Sequence, residues 1–148
     1  IELCQRSDFL SMHAPLNSET RHLMGEREFR AMKKSAIFIN NGRGPTVNEG
    51  ALTEALRQGW IAGAALDVFE VEPVDPNNAL LRLDNVLVTP HIASATARMA
   101  PETRRRLGRE LATVLQGKWP RSAVNPGVLP KTSLIRWQPY PMGRGPNR

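Results

Sequence analysis

Cysteine occurs once in this 148-residue chain, at Cys4, and a single thiol excludes an internal disulfide. No Cys-x-x-Cys pair and no Cys/His cluster is present to hold zinc, so no metal site is expected and Cys4 reads as a small core residue near a strand. No stretch approaches the roughly 18 uninterrupted apolar residues that a membrane span requires. The opening IELCQRSDFL lacks the basic start and apolar core of a secretion signal, so the chain is expected to be soluble and cytoplasmic, with no membrane partner. Neither a repeat at a solenoid period nor a low-complexity tract interrupts it.

What is present is 41% hydrophobic residues, enough for one core. The formal net charge is +6, but its placement argues against nucleic acid as a partner. Residues 131 to 148 hold Lys131, Arg136, Arg144 and Arg148 and no acid, leaving 16 of the 20 bases against all 14 acids over residues 1 to 130. Arg104, Arg105, Arg106 and Arg109 share a helical stretch with Glu102 and Glu110, the pattern of a solvated face, and no aromatics interleave them. Two segments are therefore expected: an ordered portion over 1 to 130 and a flexible basic tail, rich in proline and glycine, over 131 to 148.

Periodicity divides the ordered portion. Residues 8 to 13 (DFLSMH) form a strand candidate closed by Ala14-Pro15, and residues 18 to 34, interrupted by Gly25, predict two short helices or one broken one. Residues 35 to 40 read as a buried strand. The following helix starts near Thr46 and Glu49, which fit a Ser/Thr-x-x-Glu cap with Asn48 competing, and Gly59 stops it. IAGAALDVF, residues 61 to 69, is a third strand whose small side chains would let helices pack closely on both faces. NVLVT, residues 85 to 89, is a fourth. A long helix over 95 to 116 then carries Leu107, Leu111, Val114 and Leu115 as its apolar stripe, begins or kinks near Pro101, and stops at Gly117. Alternation of this kind predicts an α/β fold with a mainly parallel sheet.

Ligands bind outside the carboxyl ends of the strands in such sheets, and here those ends carry ionisable groups. His13 closes the first strand, Arg43 follows the second within Asn40-Asn41-Gly42-Arg43-Gly44-Pro45, Asp67 ends the third with Glu72 beyond it, and His91 follows the fourth. Singly, each has a structural reading, a histidine after proline as a turn residue and an aspartate at a strand end as a cap. Together, four strand ends direct charged or titratable groups towards one edge.

INNGRGPTVNEGALTEAL, GAALDVFEVEP and NVLVTPHIASAT, in that order, resemble the cofactor-binding domain of the D-isomer-specific 2-hydroxyacid dehydrogenases. The GRGP and PHIASAT versions, with LQGK and VNPGVLP further on, are most similar to the glyoxylate/hydroxypyruvate reductase and 2-ketogluconate reductase branch. The resemblance covers residues 1 to 130 and implies the C-terminal half of a Rossmann-type doubly wound parallel sheet, followed by a helix and an irregular tail. It also implies an oxidoreductase that reduces a small 2-oxo acid to the D-2-hydroxy acid with NAD or NADP as cofactor. Arg43 would hold the substrate carboxylate and carbonyl oxygen, since a guanidinium fork matches a planar anion and keeps its charge. His91 would be the general acid, with Glu72 favouring and orienting its protonated ring. Asp67 would accept from the nicotinamide carboxamide. Asn41, Gly42 and Arg43 would add backbone contacts to the cofactor, and Ala93 and Ser94, with His91, would lie beside the nicotinamide. Residues 13 to 16 would border the same cleft, His13 in a structural role.

The chain departs from the family in Asn41-Gly42, where Thr-Ala or Ala-Gly pairs are common, and in Asn48, where aspartate is frequent. No Gly-x-Gly-x-x-Gly precedes Ile1, and neither the residue that separates NAD from NADP nor a substrate domain is found. These residues are therefore expected to be a fragment, inactive alone, of a protein that relatives suggest is a homodimer. Other readings of the same pattern are a nucleotide-sensing interaction module like the family's corepressors, a formate or phosphite dehydrogenase, and a truncated product that folds poorly.

Overall fold

A computed structural model of the chain describes residues 1–136. It forms two compact units, Ile1–Ala93 and Ser94 onward.

The first unit contains helix α1 (Glu2–Arg6), strand β1 (Phe9–Met12), α2 (Glu26–Ala31), β2 (Ile37–Asn40), α3 (Glu49–Arg57), β3 (Gly63–Leu66) and β4 (Val86–Val88). All three strand pairings are parallel and the order is β1-β2-β3-β4. Met12, Asn40, Leu66 and Val88 are partners in a single row across the sheet, so the chain leaves all four strands at the same level. That row is why residues distant in sequence share one edge.

Alternation along the strands sends Leu10, Met12, Phe38, Ala64 and Leu66 into one core with Cys4 of α1, Phe29 of α2, and Leu52, Ala55 and Leu56 of α3. Phe29 and Phe38 meet edge to face, their centroids 5.3 Å apart. Within the first unit these helices lie on one face of the sheet, and β3 is buried at Gly63, Ala64 and Leu66. The opposite face carries Phe9 and Leu87, each 68% exposed, and the half-buried Ile37 and Ile39. Gly63 also makes a close backbone contact: a Cβ there would come within 2.9 Å of the Asn85 carbonyl oxygen.

Two local expectations need correction. Residues 18 to 22 are turns rather than helix, because Asn17 organises them: its side-chain oxygen accepts from the Glu19 and Thr20 N–H groups, and α2 starts only after Gly25. Thr46 is not the cap of α3. It belongs to a 3₁₀ turn, Gly44–Thr46, and Asn48 caps the helix by accepting from Ala51 N–H at 2.9 Å. Cys4 is buried as expected, but on a helix. Gly59 ends the α3 region at φ +66°, where an L side chain is disfavoured.

The second unit opens into α4 (Met99–Leu115), later than the sequence suggests, with Pro101 in its first turn, where no helical N–H is forfeited. No residue of α4 is buried; Leu107, Leu111 and Leu115 of the expected stripe are exposed and Val114 is half-buried. Glu102 pairs with Arg105 at 2.8 Å and Arg106 at 3.3 Å, as a solvated face would. Gly117 follows at φ +75°, and a 3₁₀ turn spans Pro126–Lys131. Residues 137 to 148 of the expected tail lie outside the described residues. Among the described residues no helix is long and apolar enough to cross a membrane, and no group of three or more His, Cys, Asp or Glu could hold a metal ion.

Candidate active site

Arg43 leaves β2 on a turn built by buried polar side chains. Asn40 Oδ1 accepts from Gly42 N–H at 3.1 Å, while Asn40 Nδ2 and Thr46 Oγ1 both donate to the Arg43 carbonyl, at 3.2 and 2.6 Å. Asn40 and Thr46 are essentially fully buried. Glycine is required beside the arginine: a Cβ on Gly44 would lie 1.7 Å from the Phe69 carbonyl oxygen, and one on Gly42 would lie 3.1 Å from that of Met12. The turn is thereby pressed against the chain leaving β3. Its guanidinium is exposed, with Nη1 donating to the Gly42 carbonyl at 2.7 Å.

Asp67, at the end of β3, is buried but well supplied with donors. Its Oδ1 accepts from the Thr89 hydroxyl and from Ile92 N–H at 2.8 Å, and its Oδ2 accepts from Ala93 N–H at 2.8 Å. Burial acts to raise this carboxyl. The Thr89, Ile92 and Ala93 hydrogen bonds and the His91 charge outweigh it and hold the group below its ordinary 3.8. Asp67 thus fixes the turn that carries His91.

Glu72 and His91 are in direct contact, Oε2 to Nδ1, at 2.7 Å. The other Glu72 oxygen accepts from Phe69 N–H at 3.0 Å. The His91 hydrogen bond is the chief influence holding the Glu72 carboxyl below its ordinary 4.5. The Phe69 amide adds to it, burial opposes, and the charges of His91 and Arg43 lower it further. Arg43 is therefore near enough to act on Glu72 electrostatically. His91 sits at φ 53°, an uncommon conformation for a residue with a side chain, held by the bonds around it. With Nδ1 engaged, Nε2 is the ring nitrogen left for a substrate.

Two cavities adjoin these groups. One of about 650 Å³ is walled by Phe69, Val74, Leu81 and Val88 and bordered by Glu72 and His91. A smaller one of about 140 Å³ is bordered by Asn41, Asp67 and Ala93 over a floor that includes Ala65. A cleft lined by Ile39, Ala65 and Leu87 with the Asp67 carboxylate beside them suits a flat apolar ring that is cationic when oxidised. The residues thus fit the nicotinamide end of a dinucleotide.

The structure brings Asn41, Gly42, Arg43, Asp67, Glu72, His91 and Ala93 to the strand-end side of the first unit. Ser94 opens the second unit, its carbonyl accepting from Thr96 N–H at 2.9 Å. His13 contacts Ser11, its Nε2 lying 2.8 Å from Oγ. Sequence reasoning missed Asn40, Thr46 and Thr89. Only Asn40 left a signal, as a polar residue closing an apolar run.

A parallel sheet with chemistry at one strand-end edge defines a Rossmann-type nucleotide-binding fold. Residues 1–93 match the model of the D-isomer specific 2-hydroxyacid dehydrogenase, NAD binding domain, and the chain belongs to that family. It is 50% identical over 127 residues to glyoxylate reductase from Thermofilum pendens, covering 86% of this chain and 38% of that protein. The chain thus spans well under half the length of that relative. Among solved structures, it resembles the NAD-complexed D-isomer specific 2-hydroxyacid dehydrogenase of Lactobacillus delbrueckii ssp. bulgaricus. The TM-score is 0.77 at 33% identity, covering 83% of this chain and 42% of that one. The Xanthobacter autotrophicus Py2 enzyme in complex with NADPH and MES gives a TM-score of 0.69 at 42% identity, covering 78% and 47%.

Proposed function

We propose that this chain supplies the proton-transfer and anion-binding groups of an NAD(P)-dependent reductase that converts a 2-oxo acid of the glyoxylate, hydroxypyruvate or 2-ketogluconate type to its D-2-hydroxy acid. The observation that carries the reading is the 2.7 Å His91–Glu72 contact on the rim that also bears Arg43, within a family that binds NAD. Arg43 pairs with the substrate carboxylate and orients the carbonyl. His91, protonated and steadied through Nδ1 by Glu72, gives the Nε2 proton to the carbonyl oxygen. A reduced nicotinamide bound in the neighbouring cleft would supply the hydride for the carbonyl carbon. In the reverse direction His91 takes the hydroxyl proton. Asp67 has acceptor capacity left beyond its three protein donors and would receive the carboxamide N–H. Asn41, Gly42 and Ala93 would complete the cofactor contacts of the first unit. A homodimer in the cytoplasm, acting on small acids rather than nucleic acid, goes with this reading.

The test grafts residues 1–127 in place of the matching segment of the Thermofilum pendens reductase and follows oxidation of NADH and NADPH with each of the three oxo acids. Turnover that His91→Ala abolishes, with NADH still bound, is the expected result. A graft that folds and binds NADH yet turns over none of them would overturn the enzymatic reading in favour of nucleotide sensing.

A further inference from the structure

A second histidine–carboxylate pair stands beside the first. His22 Nε2 lies 2.9 Å from Glu70 Oε1, and Glu70 is two residues from Glu72 on the segment leaving β3. Like His91, His22 holds a positive φ, 52°, and these two are the non-glycine residues of the described chain that do so. Such a conformation persists only where surrounding bonds impose it.

Those bonds tie together four stretches of chain. His22 N–H donates to the Pro45 carbonyl at 2.9 Å, Met24 N–H to that of Thr46 at 3.1 Å, and Asn48 N–H back to that of Met24 at 2.9 Å. The turn that follows Arg43 is therefore stitched to residues 22 to 24. Glu70 Oε1, besides meeting His22, accepts from Glu49 N–H at 3.0 Å, while Glu70 N–H donates to Glu49 Oε1. Asn78 Nδ2 donates to Glu49 Oε2 at 2.8 Å. Gly44 meanwhile rests on the Phe69 carbonyl, and Phe69 N–H is held by Glu72.

We propose that the His22–Glu70 pair, backed by Glu49 and Asn78, is a positioning clamp that fixes the Arg43 turn against the segment carrying Glu72. The anion-binding and proton-transfer halves of the site thereby keep a constant separation. Neither His22 nor Glu70 reaches the reacting atoms in this scheme. They act through the Gly44–Phe69 contact, with His22 holding the outer side of the turn and Glu70 joining it to the β3 segment. The inference rests on Arg43 and His91–Glu72 being the working groups, and deepens that reading.

The experiment compares the 148-residue chain with its His22→Ala, His22→Gln and Glu70→Gln variants by NMR, reading amide exchange and the ¹⁵N shift of His91 Nδ1. His22→Ala should speed exchange at Met24 and Val47 by about tenfold, leave Phe38 and Leu66 in the sheet unchanged, and shift the His91 Nδ1 resonance. His22→Gln, whose amide can still donate to Glu70, should restore both, and Glu70→Gln should give an intermediate result. Unaltered exchange at Met24 and Val47, or an unmoved His91 resonance in a folded His22→Ala chain, would overturn the clamp. Oxalate titration of the graft on the Thermofilum pendens reductase, in the presence of NADH, is the separate arm. Failure to bind there would count against the role given to Arg43, while the exchange and ¹⁵N data would still decide whether the clamp exists.

Discussion

Asn40 and Thr46 converge on one atom, the carbonyl oxygen of Arg43, from opposite ends of the turn that displays the guanidinium. Both side chains are buried, so neither donor can be exchanged for water without cost. Thr46→Val keeps the shape of the side chain and deletes the hydroxyl. It should destabilise the chain by about 1–2 kcal/mol in urea titration. In the graft on the Thermofilum pendens reductase, oxalate affinity should fall further than stability alone explains, because the turn that aims Arg43 would be loosened.

Gly44→Ala should be far more damaging. A methyl group placed 1.7 Å from the Phe69 carbonyl oxygen forces backbone apart, and a loss above about 3 kcal/mol is expected. Gly108→Ala in α4, where an added Cβ meets nothing within 4 Å, should instead increase helicity and stabilise that helix by about 0.5–1 kcal/mol. Circular dichroism during thermal melting would register both, and similar melts for the two variants would contradict the contact at Gly44.

Acid should weaken the fold through particular carboxylates. Asp67 and Glu72 are both held below their ordinary values of 3.8 and 4.5, so each contributes stability that is complete above those values and lost as pH falls through its lower value in the folded state. Urea midpoints measured from neutrality downward should be flat to about pH 5 and then decline. Asp67→Asn should be less stable at neutral pH and show a shallower decline. A decline as steep as the wild type's would assign the acid sensitivity elsewhere.

In the graft on the Thermofilum pendens reductase, Arg43→Lys should raise KM for the oxo acid more than it lowers kcat, because an ammonium cannot make the two-pronged contact. Glu72→Gln should do the reverse. Its amide preserves much of the shape around Phe69 and His91 but removes the charge opposite the imidazolium, so kcat should drop by about 10²-fold with KM little changed. Steady-state kinetics with glyoxylate separates the two outcomes.

Much of this arrangement was legible in the one-dimensional pattern. Short apolar runs ended by Arg43, Asp67 and His91 announced both the strands and their working edge, because a parallel sheet sends every strand end the same way. The Glu72–His91 pairing came from the family resemblance rather than from spacing. What stayed hidden was contact made between distant segments. Nothing near Gly44 in the chain says that Phe69 will press on it, and Glu70 gives no local sign that His22 is its partner. Thr46 misled for a physical reason: its hydroxyl suits a helix cap and a turn equally, and the 3₁₀ geometry after Arg43 decided between them. Periodicity places Leu107, Leu111 and Leu115 on one face of α4, yet all three are exposed, because spacing alone does not supply a partner for a stripe.

The common level at which the four strands finish has a practical meaning for anyone modifying this molecule. Inserting or deleting one residue within β2 or β3 would move a reactive side chain by a whole step and turn it to the other face, so the interior of those strands tolerates no change of length. The opposite rim carries no such penalty. Gln58 lies there, exposed at the end of α3 with ordinary helical backbone, and a reporter dye attached at that position would leave the spacing of the working groups undisturbed.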